Sequence, residues 1–342
     1  MVSTDQGFFA IDQVEWNRVC DLGANAAISY LIIARGTGGD NRTSWWSVNS
    51  IEKYTSISRP RAVRAVNALI EAGRIARIRD GTYPQYDILP GASSSDRREL
   101  IWLPNSIVDG LCGEVPPVER LSQTQNIDAV RLFGNLYHAQ NLRADRGIEW
   151  RVQNGLSEKF RREKIAEYGP YVLWGFQREG VSPPGAQVTF AKHHMAQPNL
   201  QPDQASARFW TAQRVLWDTG LAEFVTHLVT ADSEEGDIVH PLPIDGAGEP
   251  AERQIAEAAK LAAQAMCPRW KDLDDFCTAV PILRHIVNVE LVGIARLRYR
   301  PRTSATNAWL ATAAECDRWA AAYHQIAEEV SEKAREFTKV AI

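Results

Sequence analysis

Cysteine is scarce in this chain and scattered. Its five residues (Cys20, Cys112, Cys267, Cys277, Cys316) form no CxxC pair and no His/Cys ligand spacing. A structural zinc site and a disulfide framework are therefore not expected, and the thiols should be free. No apolar run is long enough to span a bilayer, and the N-terminal MVSTDQGFFA has no signal-peptide pattern, so no membrane partner and a cytoplasmic location are expected. Excess positive charge is missing as well: 38 Lys+Arg against 42 Asp+Glu leave a formal charge of −4. That balance excludes a uniformly basic coat, so any polyanion contact must come from a local patch.

The usual catalytic spacings are also absent. There is no P-loop, no nucleophile elbow and no zinc-hydrolase pattern, which leaves no catalytic residue, metal or cofactor to assign. The glycine-rich loop over residues 36–41 follows a helical stretch and lacks the Lys-Ser/Thr of a phosphate cradle, so it reads as a connector. His193 and His194 are adjacent and cannot share a helical face as ligands, and Asp272, Asp274, Asp275 and Glu290 are too loosely spaced for a nuclease site. What is present is an ordinary globular composition, 45% hydrophobic and 23% charged, over 342 residues; two or three domains can each bury a core at that length.

The most informative stretch runs from Thr43 to Leu89. Ser47 or Asn49 can cap a helix whose apolar positions are Val48, Ile51 and Tyr54. After a turn at Ser56-Ile57-Ser58, Ser58 caps a second helix with Pro60 in its first turn, where a missing N–H costs nothing. On that helix Val63, Val66, Leu69 and Ile70 are expected inward, and Arg61, Arg64, Ala65 and Ala68 outward. Gly73 ends it, and a hairpin turning at Asp80-Gly81 follows. Six arginines (Arg59, Arg61, Arg64, Arg74, Arg77, Arg79) face one acid, Glu71, between Ser58 and Arg79. Trp45 and Trp46 read as packing residues.

Residues 8–89 resemble the winged helix-turn-helix domains at the N-termini of phage and plasmid replication initiators. The resemblance rests on FFAIDQVEW, ANAAISYLIIARGTG, the loop ending in TSWWS, SISRPRAVRAVNALIEAGRI and the hairpin. The SRPRAV…L…AG.I portion also matches winged regulators of the GntR and MarR kind. The resemblance implies a helix in the major groove and a wing on flanking phosphate, with Ser58, Arg59, Arg61, Arg64, Ala65, Arg74, Arg77 and Arg79 as the DNA-binding set.

Downstream, residues 90–96 form the clearest linker, and RELIWLPNSIVDGL then repeats the strand-then-helix pattern of FFAIDQVEWNRV. Leu136, Ala139 and Leu142 echo Leu69, Ala72 and Ile75, and residues 208–229 give helix, glycine break and strand once more. The expected fold is mainly α with small β wings. A winged domain over 1–90 would be followed by a second winged-helix-like unit over 97–180, a degenerate third over 181–240, and a helical C-terminal interaction region over 250–342.

Lys159, Arg161 and Arg162, in a basic run read as helical, and Arg298, Arg300 and Arg302 are secondary nucleic-acid candidates. The run over 282–297 is an apolar helix or strand, and 306–337 is an amphipathic helix with Cys316, Trp319, Tyr323, Ile326 and Val330 on one stripe. The expected partners are double-stranded DNA, a second copy of the chain and a replication or transcription protein. Three functions stay open: a replication-initiator-like protein of a mobile element, a winged-helix transcription regulator, and a non-catalytic protein that targets a host nucleic-acid machine.

Overall fold

The computed structural model describes residues 7–81, 84–89, 99–111, 113–140, 147–148, 157–181, 201–230, 237–267, 273, 275–286, 288–299 and 309–340. By compactness the chain divides into two units that interleave along the sequence. The first holds Met1–Gln140, Val188–Ala222 and Leu297–Thr306; the second holds Asn141–Gln187, Glu223–Arg296 and Asn307–Ile342.

The first unit contains β1 (Phe8–Asp12), α1 (Gln13–Cys20), α2 (Ala24–Arg35), β2 (Thr43–Ser44), α3 (Val48–Tyr54) and α4 (Arg59–Glu71). These are followed by β3 (Ile75–Arg79), β4 (Gln85–Ile88), β5 (Leu100–Pro104), α5 (Ser106–Asp109), α6 (Pro117–Thr124), α7 (Ile127–Ala139) and α8 (Pro202–Asp218). Its centre is α2, buried at every position from Ala26 to Ala34. A helix apolar all round must be covered all round, and α1, α3, α4 and α7 all pack on it. Trp16 of α1 is wholly buried and donates its indole N–H to the Arg131 carbonyl at 3.2 Å. Gly134 of α7 makes this possible, since a Cβ there would sit 2.4 Å from Nε1 of Trp16. The two segments that look alike in sequence pair with each other, β1 against β5 in an antiparallel ribbon from Phe8↔Pro104 to Asp12↔Leu100.

The second unit contains β6 (Ser157–Tyr168), β7 (Tyr171–Val181), β8 (Ala222–Thr230), β9 (Ile238–Pro241), α9 (Pro250–Met266), β10 (Thr278–Leu283), β11 (Val289–Leu297) and α10 (Trp309–Val340). Its strands form a six-stranded curled antiparallel sheet in the order β10-β7-β6-β11-β8-β9. Helices α9 and α10 cover the sheet with Ile255, Ala258, Ala259, Cys316 and Tyr323 against Phe176, Val280 and Leu291. Of the stripe expected on α10, Cys316, Tyr323 and Val330 are buried, with Trp319 and Ile326 partly so.

This sheet overturns the mainly-α expectation: the described residues form a mixed α/β fold with a six-stranded sheet. One misread segment, and one that the sequence left open between helix and strand, contribute to the difference. The basic run 159–164 lies in β6, where alternation puts Phe160 in the core and Arg161 outside. The stretch over 282–297 contains β11, buried at every position but Glu290, and a strand covered on both faces has the same unbroken apolar run as a buried helix. The segment DRGIEWRVQ, whose pattern gives a small wing turning at Arg146-Gly147, spans residues 145–153, of which Gly147 and Ile148 are described; Ile148 donates its N–H to the Ala295 carbonyl at 2.8 Å. The third echo keeps helix, glycine break and strand, but its strand β8 belongs to the large sheet. The linker at 90–96 and His193 and His194 lie outside the described residues.

Candidate nucleic-acid interface

The stretch from α2 to β4 builds one local assembly: helix, short strand, two helices joined by a tight turn, then a hairpin, with strands ordered β2-β4-β3. Ser47 opens α3 in a reciprocal capping box with Ser50. Between the helices, the Thr55 hydroxyl donates to the Ile51 carbonyl at 2.6 Å and accepts the Ile57 N–H at 3.1 Å, so Ile57 turns inward. Ser58 stands at the N-cap of α4 and is exposed. Its carbonyl accepts the N–H groups of Arg61 and Ala62 at 2.9 Å, and its hydroxyl makes no capping bond. At the other end Gly73 takes φ +66°, which lets the Arg74 N–H reach the Leu69 carbonyl at 2.8 Å. The chain leaves α4 directly into β3.

The rotation of α4 differs from the sequence expectation. Its buried face is Ala62, Ala65, Val66 and Leu69. Ala65, expected outward, is 6% exposed, and Val63, expected inward, is 40% exposed. Small side chains suit the side of α4 that packs on α2 and α3, so alanines take the place that size-based reasoning gave to valine. Arg59, Arg61, Val63, Arg64 and Asn67 are all exposed.

The arginines divide by partner. Arg59 donates to the Asn49 side-chain carbonyl at 2.6 Å and lies 3.6 Å from Glu52, in the open. Arg64 reaches only the Pro60 carbonyl, at 3.4 Å. Arg61 and Arg79 have no hydrogen-bond or ion-pair partner among the described residues. Arg77 lies 3.5 Å from the exposed Asp80 and over the Tyr86 ring.

Arg74 differs from the others in its partner. Its guanidinium donates to both carboxylate oxygens of Glu15 at 3.1 Å, and that carboxylate is 2% exposed. Burial pushes the Glu15 carboxyl above its usual range, against the opposing pull of Arg74. Arg74 thus ties the base of the hairpin to α1, with its side chain half-buried.

Around this basic row stand groups that sequence reading passed over. Trp45, expected to pack, is 64% exposed, whereas Trp46 stacks on Tyr54 at 4.8 Å and has the Arg35 guanidinium 5.3 Å from its ring centre. Ile78 is the unpaired residue where the β3–β4 register shifts between Arg77 and Arg79, and it is 54% exposed. Arg42 binds Asp87 through Nε at 2.7 Å and Nη2 at 2.6 Å. Chemically, the face offers planar guanidinium forks, a carboxamide and a hydroxyl around a helix start, the donors that phosphate and base edges accept.

The secondary candidates are divided between the two units. In β6, Arg161 donates to Gln177, while Arg162 lies over Trp174 at 4.2 Å and donates to the Val289 carbonyl at 2.9 Å, so it is held inside its sheet. Lys159 is half-buried in β6. Arg298 is exposed in the first unit, and Arg300 and Arg302 lie outside the described residues.

Among the described residues no group of three His, Cys, Asp or Glu could hold a metal ion, and no helix is long and apolar enough to cross a membrane. No protein-family model, curated protein or solved structure matches the chain.

Proposed function

We propose that this chain is a sequence-specific double-stranded-DNA-binding protein whose residues 8–89 work as a winged helix. In this reading α4 enters the major groove and the β3–β4 hairpin lies on flanking phosphate. The observation that carries it is the exposed row Arg59, Arg61, Arg64, Arg77 and Arg79, with Arg61 and Arg79 unpartnered among the described residues. Clustered like charges repel and add nothing to folding, in a chain whose net charge is −4. A polyanionic partner gives them a purpose. The finer role is that of a replication-initiator-like protein of a mobile element, carried by the resemblance of residues 8–89. The rest of the chain would serve self-association and the recruitment of a replication protein, with no catalytic step of its own.

Fluorescence anisotropy of the full chain on labelled duplexes across a salt series tests this. Arg61→Ala or Arg64→Ala should cost about 1–3 kcal/mol on the specific site and little on random duplex. Arg77→Ala or Arg79→Ala should weaken binding to every duplex and lower the salt slope by about one ion. Equal losses on specific and random DNA for both pairs would mean that α4 reads no bases. Full function after the double change of Arg61 and Arg64 to alanine would instead favour a protein-targeting role. Immunoprecipitation with sequencing of the bound fragments separates the remaining pair. Direct repeats at an origin favour initiation, and a single palindrome over a promoter favours transcriptional regulation.

A further inference from the structure

On α4 the exposed residues Pro60, Val63, Arg64, Asn67 and Glu71 recur at steps of three and four and so form one stripe. Three of them carry three different surface chemistries. Val63 presents a branched apolar side chain that the core does not use. Arg64 presents a guanidinium tethered only by the 3.4 Å contact to its own helix. Asn67 presents a carboxamide with no hydrogen-bond partner among the described residues. A lone exposed valine needs no explanation. Here, however, it shares a stripe with two polar groups that the fold leaves unused.

Resting on the duplex-binding reading above, we propose that this stripe sets the recognised sequence: Arg64 takes a guanine, Val63 the 5-methyl of a neighbouring thymine, and Asn67 an adenine about two base pairs further on. A carboxamide offers a donor and an acceptor side by side, which matches N7 and N6 of adenine. A guanidinium fork offers two donors, which matches N7 and O6 of guanine. An apolar side chain in the major groove has the thymine methyl as its one complementary feature. The four residues from Val63 to Asn67 rise about 6 Å along the helix, close to two base-pair steps of about 3.4 Å. Glu71 closes the stripe, and its exposed carboxylate repels phosphate, so direct reading stops at Asn67. Sequence reasoning placed Ala65 on this face and left Asn67 out; the observed rotation of α4 exchanges them.

The test is selection of bound duplexes from a library randomised over its central positions, with the full wild-type chain, Asn67→Ala and Val63→Ala, and sequencing of what is retained. Both substituted positions are exposed, and thermal melts of the variants alongside the wild type show that they are folded. The wild type should enrich a guanine, a thymine beside it and an adenine about two pairs away. Asn67→Ala should still retain duplex and keep the guanine, while its adenine preference falls by about tenfold or more. Replacing the thymine by deoxyuridine removes the methyl alone, and should weaken the wild type severalfold while leaving Val63→Ala unchanged. An unaltered adenine preference in Asn67→Ala overturns this assignment and leaves duplex binding standing. A wild-type chain that retains no duplex overturns both.

Discussion

Arg74 and Arg79 belong to the same basic segment, yet their surroundings give them opposite roles. The Arg79 side chain is exposed and has no partner among the described residues, so its removal changes nothing inside the fold. Arg74 neutralises a carboxylate that is 2% exposed. Breaking a buried pair from one side leaves an uncompensated charge, which costs far more than the intact pair contributes. Arg74→Met should therefore destabilise the protein by about 3 kcal/mol, at the low end of that range because Arg18 remains 3.8 Å from Glu15. Urea denaturation reads the loss, and duplex affinity of the folded variant should stay within about threefold. Removing both charges, as Arg74→Met with Glu15→Gln, should recover most of the stability. A tenfold loss of affinity at unchanged stability would return Arg74 to the interface. In sequence the two arginines were indistinguishable, because the buried acid that claims one of them lies some sixty residues away.

At the scale of elements, the rotation of α4 decides which residues meet a ligand, and it can be tested without one. Ala65 is buried on the side that packs on α2 and α3, so Ala65→Leu overfills a closed space and should cost about 1–3 kcal/mol. Val63→Ala trims an exposed side chain and should change stability by less than about 0.5 kcal/mol. Chemical denaturation of both variants ranks them, and the opposite ranking would restore the phase expected from residue size. Helices α3 and α4 and the β3–β4 hairpin were legible because each has a local signal: Ser47 and Ser58 before helices, Pro60 in a first turn, Gly73 after a last one, Asp80-Gly81 between strands. The phase of α4 was not, because it depends on how closely the neighbouring helices approach. The large sheet was hidden for a related reason. β11 pairs with β6, more than a hundred residues earlier, and is buried almost throughout, so neither alternation nor a neighbouring turn marks it as a strand.

At the scale of the whole molecule, the two units rest on different chemistry, and acid should separate them. In the second unit, His227 and His240 are buried. Nδ1 of His227 lies 2.8 Å from the Val225 carbonyl and so carries the proton, while Nε2 accepts from Arg296, which also binds Glu252 at 2.8 Å. Nδ1 of His240 likewise donates to the Pro241 carbonyl at 2.8 Å, and Nε2 accepts from the Tyr323 hydroxyl at 2.8 Å. Burial holds both rings below the ordinary histidine range, with Arg296 adding to the effect at His227, and His240 is lowered to about 4. A base whose folded pKa is depressed binds fewer protons folded than unfolded between the two values. The stability it contributes is therefore present above about pH 6.5 and is lost as pH falls toward 4, at roughly 1.4 kcal/mol per pH unit for each histidine. Stepwise urea denaturation from pH 7 to pH 5 should show the transition of the second unit moving to lower denaturant. His240→Phe should remove about half of that slope, while lowering stability at pH 7 because Tyr323 loses its acceptor. The arginines of α4 and β3 lie in the first unit, outside the buried histidine cluster. Duplex binding at pH 5 should consequently outlast the loss of the second unit's packing. A transition that stays put between pH 7 and pH 5 would mean that the two rings are not held neutral in the core.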